Sequence, residues 1–394
     1  MNYKIAVISL LTSAILVHVK AQSTVETVLA SVEKNNQPLS ASRQFWEAKK
    51  LEYQTGLTLP NPTIQGQYLF GSPSAAGSQT DFFAVQSFDF PTTYKKRRQL
   101  AEVQGAISTS TIAAKRQNLL LEAKLVCLEM VYRNKLKAHF ERRKTDLEKL
   151  QADFQTKLDK GDGNILDVNK TKLQLLEINQ LQQENALELQ RLQTHLTELN
   201  GGQSLVFAAE NYPPLPDIQT FEIVEREYEA ADPLRQNLEQ EKRIAEKQME
   251  LSKAWRLPKF EAGYHYQGIL GQRFNGIHAG VTLPIWEQKY RTESQQAQVL
   301  FTDLNLQAHL NEHFFEIKEL YERQAALKKS MDEYQTALAS ANNTALLDKA
   351  LRLGEISTIE YFLEMSFYQN ATLHFLKTAW DYQAAVAELM QYRL

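Results

Sequence analysis

One cysteine in 394 residues, Cys127, leaves no partner for a disulfide and no thiol cluster for a metal. Glycine (15) and proline (11) fall below the roughly 7% and 5% of average usage, so the chain has few places to turn and must run in long elements. No charge of one sign dominates. Lys+Arg 44 against Asp+Glu 47 gives a formal net charge of −3, without the basic excess or stripe of a nucleic-acid binder. A mean hydropathy of −0.42 excludes a polytopic helical membrane protein, because only one stretch approaches the roughly 20 apolar residues a spanning helix needs. There is no phosphate-cradling loop of the Walker or dinucleotide type. Any work the protein takes part in is powered elsewhere.

The one apolar stretch is N-terminal. Lys4 supplies a charged start, Ile5 to Val19 is largely apolar, and Val19-Lys20-Ala21 is an acceptable cleavage site before Gln22. Residues 1–21 therefore read as a secretory signal. No cysteine lies near the cleavage site to carry a lipid.

What the chain has instead of punctuation is repetition. Phe90-Pro91 is answered 193 positions later by Leu283-Pro284, and Leu158, Gly161, Asn164 and Asp167 by Leu351, Gly354, Ser357 and Glu360 at the same offset. Pro38-Leu39 returns as Pro233-Leu234 and Leu59-Pro60 as Leu257-Pro258, at offsets of 195 and 198. An ordered series of this kind marks a tandem duplication. Its first repeat is 22–210, the linker 211–218 (Asn211 to Asp217 being rich in proline), and its second repeat 219–394.

Each repeat reads as helix, strand hairpin, very long helix, tight turn and second long helix. In the second, Phe260, Ala262, Tyr264 and Tyr266 alternate with Glu261, Gly263, His265 and Gln267. Ile277, Ala279, Val281 and Leu283 alternate likewise with His278, Gly280 and Thr282. Period two of this kind predicts a strand pair with one apolar and one polar face, over 259–283 with Gly268 to Asn275 as its loop. The first repeat offers a hairpin over 61–90, with strands at Thr63 to Phe70 and Thr80 to Phe90. After Pro91, and again after Pro284, the chain runs nearly free of proline and glycine, long enough for helices of about 100 Å. Leu121, Leu125, Leu128, Tyr132 and Leu136, then Leu147, Leu150, Phe154 and Leu158, form a narrow stripe suited to a coiled-coil seam, continued by Leu192, Leu196 and Leu199. Long helical hairpins are expected over 92–199 and 285–392. Gly161 and Gly354 can end the ascending helices in a left-handed residue. Asn164 with Asp167, and Ser357 with Glu360, can then cap the descending ones.

Strands of about 9–11 residues match a tilted bilayer crossing. Four of them cannot close a barrel, and an open edge in lipid leaves amides unpaired. Several copies must then share one barrel. At this point Pro38-Leu39, Leu59-Pro60-Asn61-Pro62, Phe88-Asp89-Phe90-Pro91 and Gly161 to Asp167, with their repeats Asp232-Pro233-Leu234, Leu257-Pro258, Val281 to Pro284 and Gly354 to Glu360, resemble the TolC family of outer-membrane efflux proteins. The resemblance covers essentially the whole mature chain. It implies a mainly α fold with a small β part: a TolC-like tandem repeat whose coiled coils form an α-barrel and whose four strands per protomer join a shared outer-membrane β-barrel. It further implies a homotrimer, a periplasmic adaptor and an inner-membrane pump, with the resistance-nodulation-division type as the candidate class. The function implied is a passive exit duct for small molecules or metal cations, set in outer-membrane lipid with its helices in the periplasm. Phe90-Pro91-Thr92-Thr93-Tyr94 and the short hairpins are similar to members that serve heavy-metal exporters, some of which carry a lipidated cysteine that is missing here.

The residues expected to matter follow from that reading. Gly161, Asp162, Asn164, Asp167, Gly354, Glu355, Ser357 and Glu360 are the candidate adaptor-docking or gating tips, with Asp162 and Glu355 able to form charged rings. Glu261, His265, His278 and Thr282 are the candidate lumen-facing strand residues. No catalytic group, cofactor or resident metal is expected. His309, Glu312 and His313 spell the H-x-x-E-H of one class of zinc protease. Yet they stand in mid-helix without an evident third ligand. Asp159 to Asn164 lacks the twelfth-position Glu of a calcium loop, where Lys170 stands. A periplasmic adaptor, the alternative from a different class, has one helical hairpin where two are expected here.

Overall fold

The structure, a computed structural model, describes residues 24–286, 289–341 and 343–394. The signal expected at 1–21 lies outside the described residues. In chain order the elements are α1 (Val25–Asn35), α2 (Gln37–Gln54), β1 (Thr63–Phe70), β2 (Ser78–Phe88), α3 (Pro91–Asp159) and α4 (Ile165–Leu199). There follow α5 (Phe221–Ala231), α6 (Pro233–Ala254), β3 (Lys259–Ile269), β4 (Gln272–Thr282), α7 (Arg291–Ser340), α8 (Thr344–Leu353) and α9 (Thr358–Leu389). The fold is thus mainly helical with one small sheet, and the order of elements recurs. Among the described residues, no helix is long and apolar enough to cross a membrane.

α3 alone is 69 residues, about 100 Å of helix. A helix of that length cannot bury itself in one core, and its apolar residues are distributed into clusters along its axis. Near its middle, Ala123, Cys127, Met130 and Val131 meet Val28 and Val32 of α1 and Leu192 and Leu196 of α4. Farther on, Leu136, Phe140 and Leu147 pack on Ile178 of α4, with Phe362, Leu373 and Leu376 of α9 alongside. At the far end, Phe154 and Val168 share a cluster with Leu351 and Tyr361, so the ends of the two helical hairpins are held together. In the second half, Val224 and Tyr228 of α5 close on Ile317 and Leu389. Of the expected seam, Leu128, Leu136, Leu147, Phe154, Leu192, Leu196 and Leu199 are buried, whereas Leu121, Leu125, Tyr132, Leu150 and Leu158 are only half-buried.

The four strands form one antiparallel sheet in the order β1-β2-β3-β4. The central pairing, β2 with β3, joins the first half to the second, with Phe83 opposite His265 and Phe88 opposite Phe260. β1 and β4 are the edges.

Three local expectations are corrected. Gly268 to Asn275 is not a loop: β3 and β4 pair as far as Ile269 opposite Gln272, leaving Leu270-Gly271 as a two-residue turn. Both turn residues have positive φ, at 50° and 79°, as a tight hairpin matched to strand twist requires. The small polar residues that read as loop are those of a sheet end. β2 spans Ser78–Phe88 rather than starting at Thr80. The long run after Pro284 is not one helix from 285. It begins at Arg291, after a left-handed Tyr290, and α7 ends at Ser340 before α8 starts at Thr344.

Candidate functional sites on the strand face and the helical tips

The strand register sorts side chains onto two faces. Tyr264 stands opposite Ile277 and Ala84, Ala262 opposite Ala279, and Phe260 opposite Val281. Glu261, His265, His278 and Thr282 fall on the other face. This polar face is organised. His278 Nε2 is 3.8 Å from Glu261 Oε2, and His265 Nε2 is 3.2 Å from Asp81 Oδ1. Gln79 Nε2 donates to Asp81 Oδ2 at 2.7 Å, and the His265 ring stacks on Phe83 with centroids 4.0 Å apart. Thr282, at the strand end, is exposed. Asp81 was not anticipated, because β2 alternates less cleanly than β3 and its histidine partner comes from a strand 184 positions away.

Exposure runs opposite to that of a water-soluble sheet. On the apolar face Ile277 is 92% exposed and Val281 61%, whereas buried Asp81 on the polar face is 6%. A soluble protein places such faces the other way round. At the end of β4, Ile285 and Trp286 are also exposed, and Arg291 lies 3.6 Å over the Trp255 ring.

The two tips are built alike. The Gly161 N–H donates to Leu158 O and the Asp162 N–H to Lys157 O; Gly354 and Glu355 repeat this toward Leu351 and Ala350. With φ of 81° and 74°, each glycine takes the left-handed position of a Schellman ending that a side chain would strain. The new helix is then capped. Leu166 N donates to Asn164 Oδ1 at 2.9 Å, and Glu360 N to Ser357 Oγ at 3.2 Å, while Glu360 Oε2 accepts from Ser357 N at 2.7 Å. These backbone and hydroxyl bonds hold the Glu360 carboxyl below its usual range. Asp167 sits in the first turn of α4, 3.8 Å from Lys170. The tips differ in how the cap is closed, a reciprocal Ser357–Glu360 box being present only at the second, and in the residue before the cap. A Cβ at Gly163 would come within 2.3 Å of Leu158 N, whereas its counterpart Ile356 packs against the shared apolar cluster.

No family model matches this sequence, and no curated protein does. The backbone does have counterparts. CusC, whose crystal structures concern folding and transmembrane channel formation, superimposes with TM-score 0.79 at 13% identity, over 93% of this chain and 91% of that one. A membrane protein from Pseudomonas aeruginosa gives TM-score 0.79 at 15% identity, over 93% of both. The CmeC outer membrane channel of Campylobacter jejuni gives 0.76 at 14%, over 93% and 85%. The chain has the TolC fold. At such identities the shared property is the course of the backbone, and each side-chain role rests on this chain's own residues.

Within the TolC fold, His309 and His313 lie on α7 where it packs against the α5–α6 junction. Glu312 is exposed beside them and does not turn inward with the histidines. Facing them instead is Asp232, the N-cap of α6, with Oδ2 3.0 Å from His309 Nε2 and 3.8 Å from His313 Nε2. Burial holds His313 below the ordinary histidine range, against the opposing pull of Asp232. Sequence showed Asp232 only as a residue preceding Pro233; nothing local links it to α7, 77 positions away.

Proposed function

We propose that the chain is one protomer of a passive outer-membrane duct, a homotrimer whose sheets close one barrel and whose helices line a tunnel through the periplasm. The observation that carries this reading is the inverted sheet: apolar residues exposed on one face, polar side chains in mutual contact on the other, and edges at β1 and β4 that need partners. Lipid suits the first property and a water-filled lumen the second. Four strands fall short of the roughly eight of the smallest usual membrane barrel, and three copies supply enough. Outer-membrane channels with the same backbone course support the assignment.

In this reading Glu261, His265, His278 and Thr282, with Asp81, line the hydrated lumen, while Tyr264, Ile277 and Val281 meet lipid. Trp286, exposed at the foot of β4, fits the headgroup belt where such rings collect. The tips at Gly161 to Asp167 and Gly354 to Glu360 meet a periplasmic adaptor, which couples the duct to an inner-membrane pump. Threefold repetition sets Asp162 and Glu355 in charged rings at that end. Opening separates the paired coiled coils at the tips; no bond is made or broken, and the chain acts without catalysis. The cargo is small molecules or metal cations.

Membrane fractionation with native sizing of the detergent-extracted protein tests the assembly. A trimer from the outer-membrane fraction is expected. A stable, detergent-free periplasmic monomer would defeat the channel reading.

A further inference from the structure

The Asp232, His309 and His313 constellation plays no part in the duct as described, and it has the composition and convergence of a metal centre. Two histidines at i and i+4 on α7 present Nε2 atoms to one carboxylate from α6, and the three ligand atoms lie within 4.8 Å of one another. A tetrahedral zinc-type ion with bonds near 2.0–2.1 Å needs ligand atoms about 3.3 Å apart. The two separations to Asp232 Oδ2, 3.0 and 3.8 Å, bracket that spacing.

The surroundings favour a cation. Glu316 adds negative charge around His313. The Asp232 carboxylate is oriented by Leu234 N at 2.9 Å and Arg235 N at 3.0 Å, as outer-shell donors orient a metal-binding acid. The Tyr228 ring packs edge-on to His313 at 4.8 Å and fixes its plane. The counter-current is a cationic neighbour, Arg235, but its guanidinium is spent on Glu239 at 3.1 Å and Glu229 at 3.5 Å.

The duplication supplies an internal control. At the 193-residue offset, His309 and His313 correspond to Arg116 and Leu120. Arg116 pairs with Glu33 at 2.6 Å, and Leu120 is simply buried. The α2 junction is capped by neutral Asn36, which accepts from Leu39 N at 2.8 Å. The same architectural joint thus holds without histidine and without a charged cap. Packing does not explain why the second half gathers both.

We propose that Asp232, His309 and His313 bind one divalent transition-metal ion of the zinc type, with water completing the coordination, and that the ion clamps the α5–α6 junction to α7. The site is independent of the channel reading and stands or falls on metal binding alone.

The test uses the tag-free full chain in detergent, stripped of metal and titrated calorimetrically with zinc chloride. One zinc per chain is expected, with a raised melting temperature and, on replacement by cobalt, the visible absorption of a low-coordinate site. Asp232→Asn keeps a competent helix cap while removing the charge, and His313→Leu copies the residue at the duplicated position. Each should retain the wild-type metal-free melting temperature and weaken zinc binding by at least the roughly 10–100-fold that loss of a mere outer-shell partner costs. Absence of saturable zinc binding by the wild type, or unchanged binding by the Asp232→Asn, His313→Leu double variant, overturns the proposal.

Discussion

Replacing Ile277 by lysine distinguishes a lipid-facing sheet from a soluble one more sharply than any other single change. Ile277 is the sixth of the eleven residues of β4 and is 92% exposed. In water, a substitution at so open a position removes almost no packing and should stay within about 0.5 kcal/mol. In a bilayer the outcome differs. Eleven residues at about 3.4 Å each span about 37 Å, and a strand tilt near 40° reduces that to about 28 Å along the normal. This places Ile277 near mid-membrane, where lysine costs about 2–4 kcal/mol per chain, or roughly 6–12 kcal/mol for three symmetric copies. His278→Lys is the matched control, one residue along and on the opposite face, where the new ammonium stays beside Glu261. Urea titration of the liposome-folded protein, followed by trimer mobility, reads both. Equal stability of the two variants would refute the assignment of the faces and with it the membrane role of the sheet.

Further outcomes follow from other parts of the molecule. Asn164→Ala at the first tip should cost about 0.5–2 kcal/mol and leave trimers and efflux intact. Gly161→Val, Asp167→Lys or Glu360→Lys should instead abolish substrate resistance in cells carrying the cognate pump while trimers still assemble; full resistance in all three removes the tips from the mechanism. Burial pushes the Cys127 thiol up to about 12, so the native protein should resist maleimide at pH near 8 and react only after unfolding. Rapid labelling of folded protein would show that the joint between α1, α3 and α4 opens.

How far the sequence foretold this molecule depended on whether the deciding interaction was local. The alternation of Phe260 to Gln267 is a property of one strand, and its two faces are those of the sheet. Gly161 and Gly354 end helices through bonds five residues long, and their role was legible for that reason. The loop expected at Gly268 to Asn275 failed because glycine and asparagine are equally at home in a solvent-facing strand end once a partner is paired with them. The end of α7 at Ser340 carries neither proline nor glycine, the two residues whose local chemistry marks a helix end most plainly. Asp81 and Asp232 acquire their partners from distant elements, His265 and the α7 histidines, and no spacing rule reaches that far.

The pairing of β2 with β3 sets a clock on biogenesis. Asp81 and His265 are 184 residues apart, and the sheet between them cannot exist until the later strand has been made. At about 5–20 residues per second the ribosome needs roughly 10–40 s to deliver it. During that interval β1 and β2 form at most a two-stranded ribbon with Ile64, Tyr68, Phe70 and Phe82 uncovered, a template for pairing with the wrong chain. The edge of β2 that β3 will occupy therefore stays open for as long as the second half is still being made, a consequence of placing the junction between the halves at the centre of the sheet.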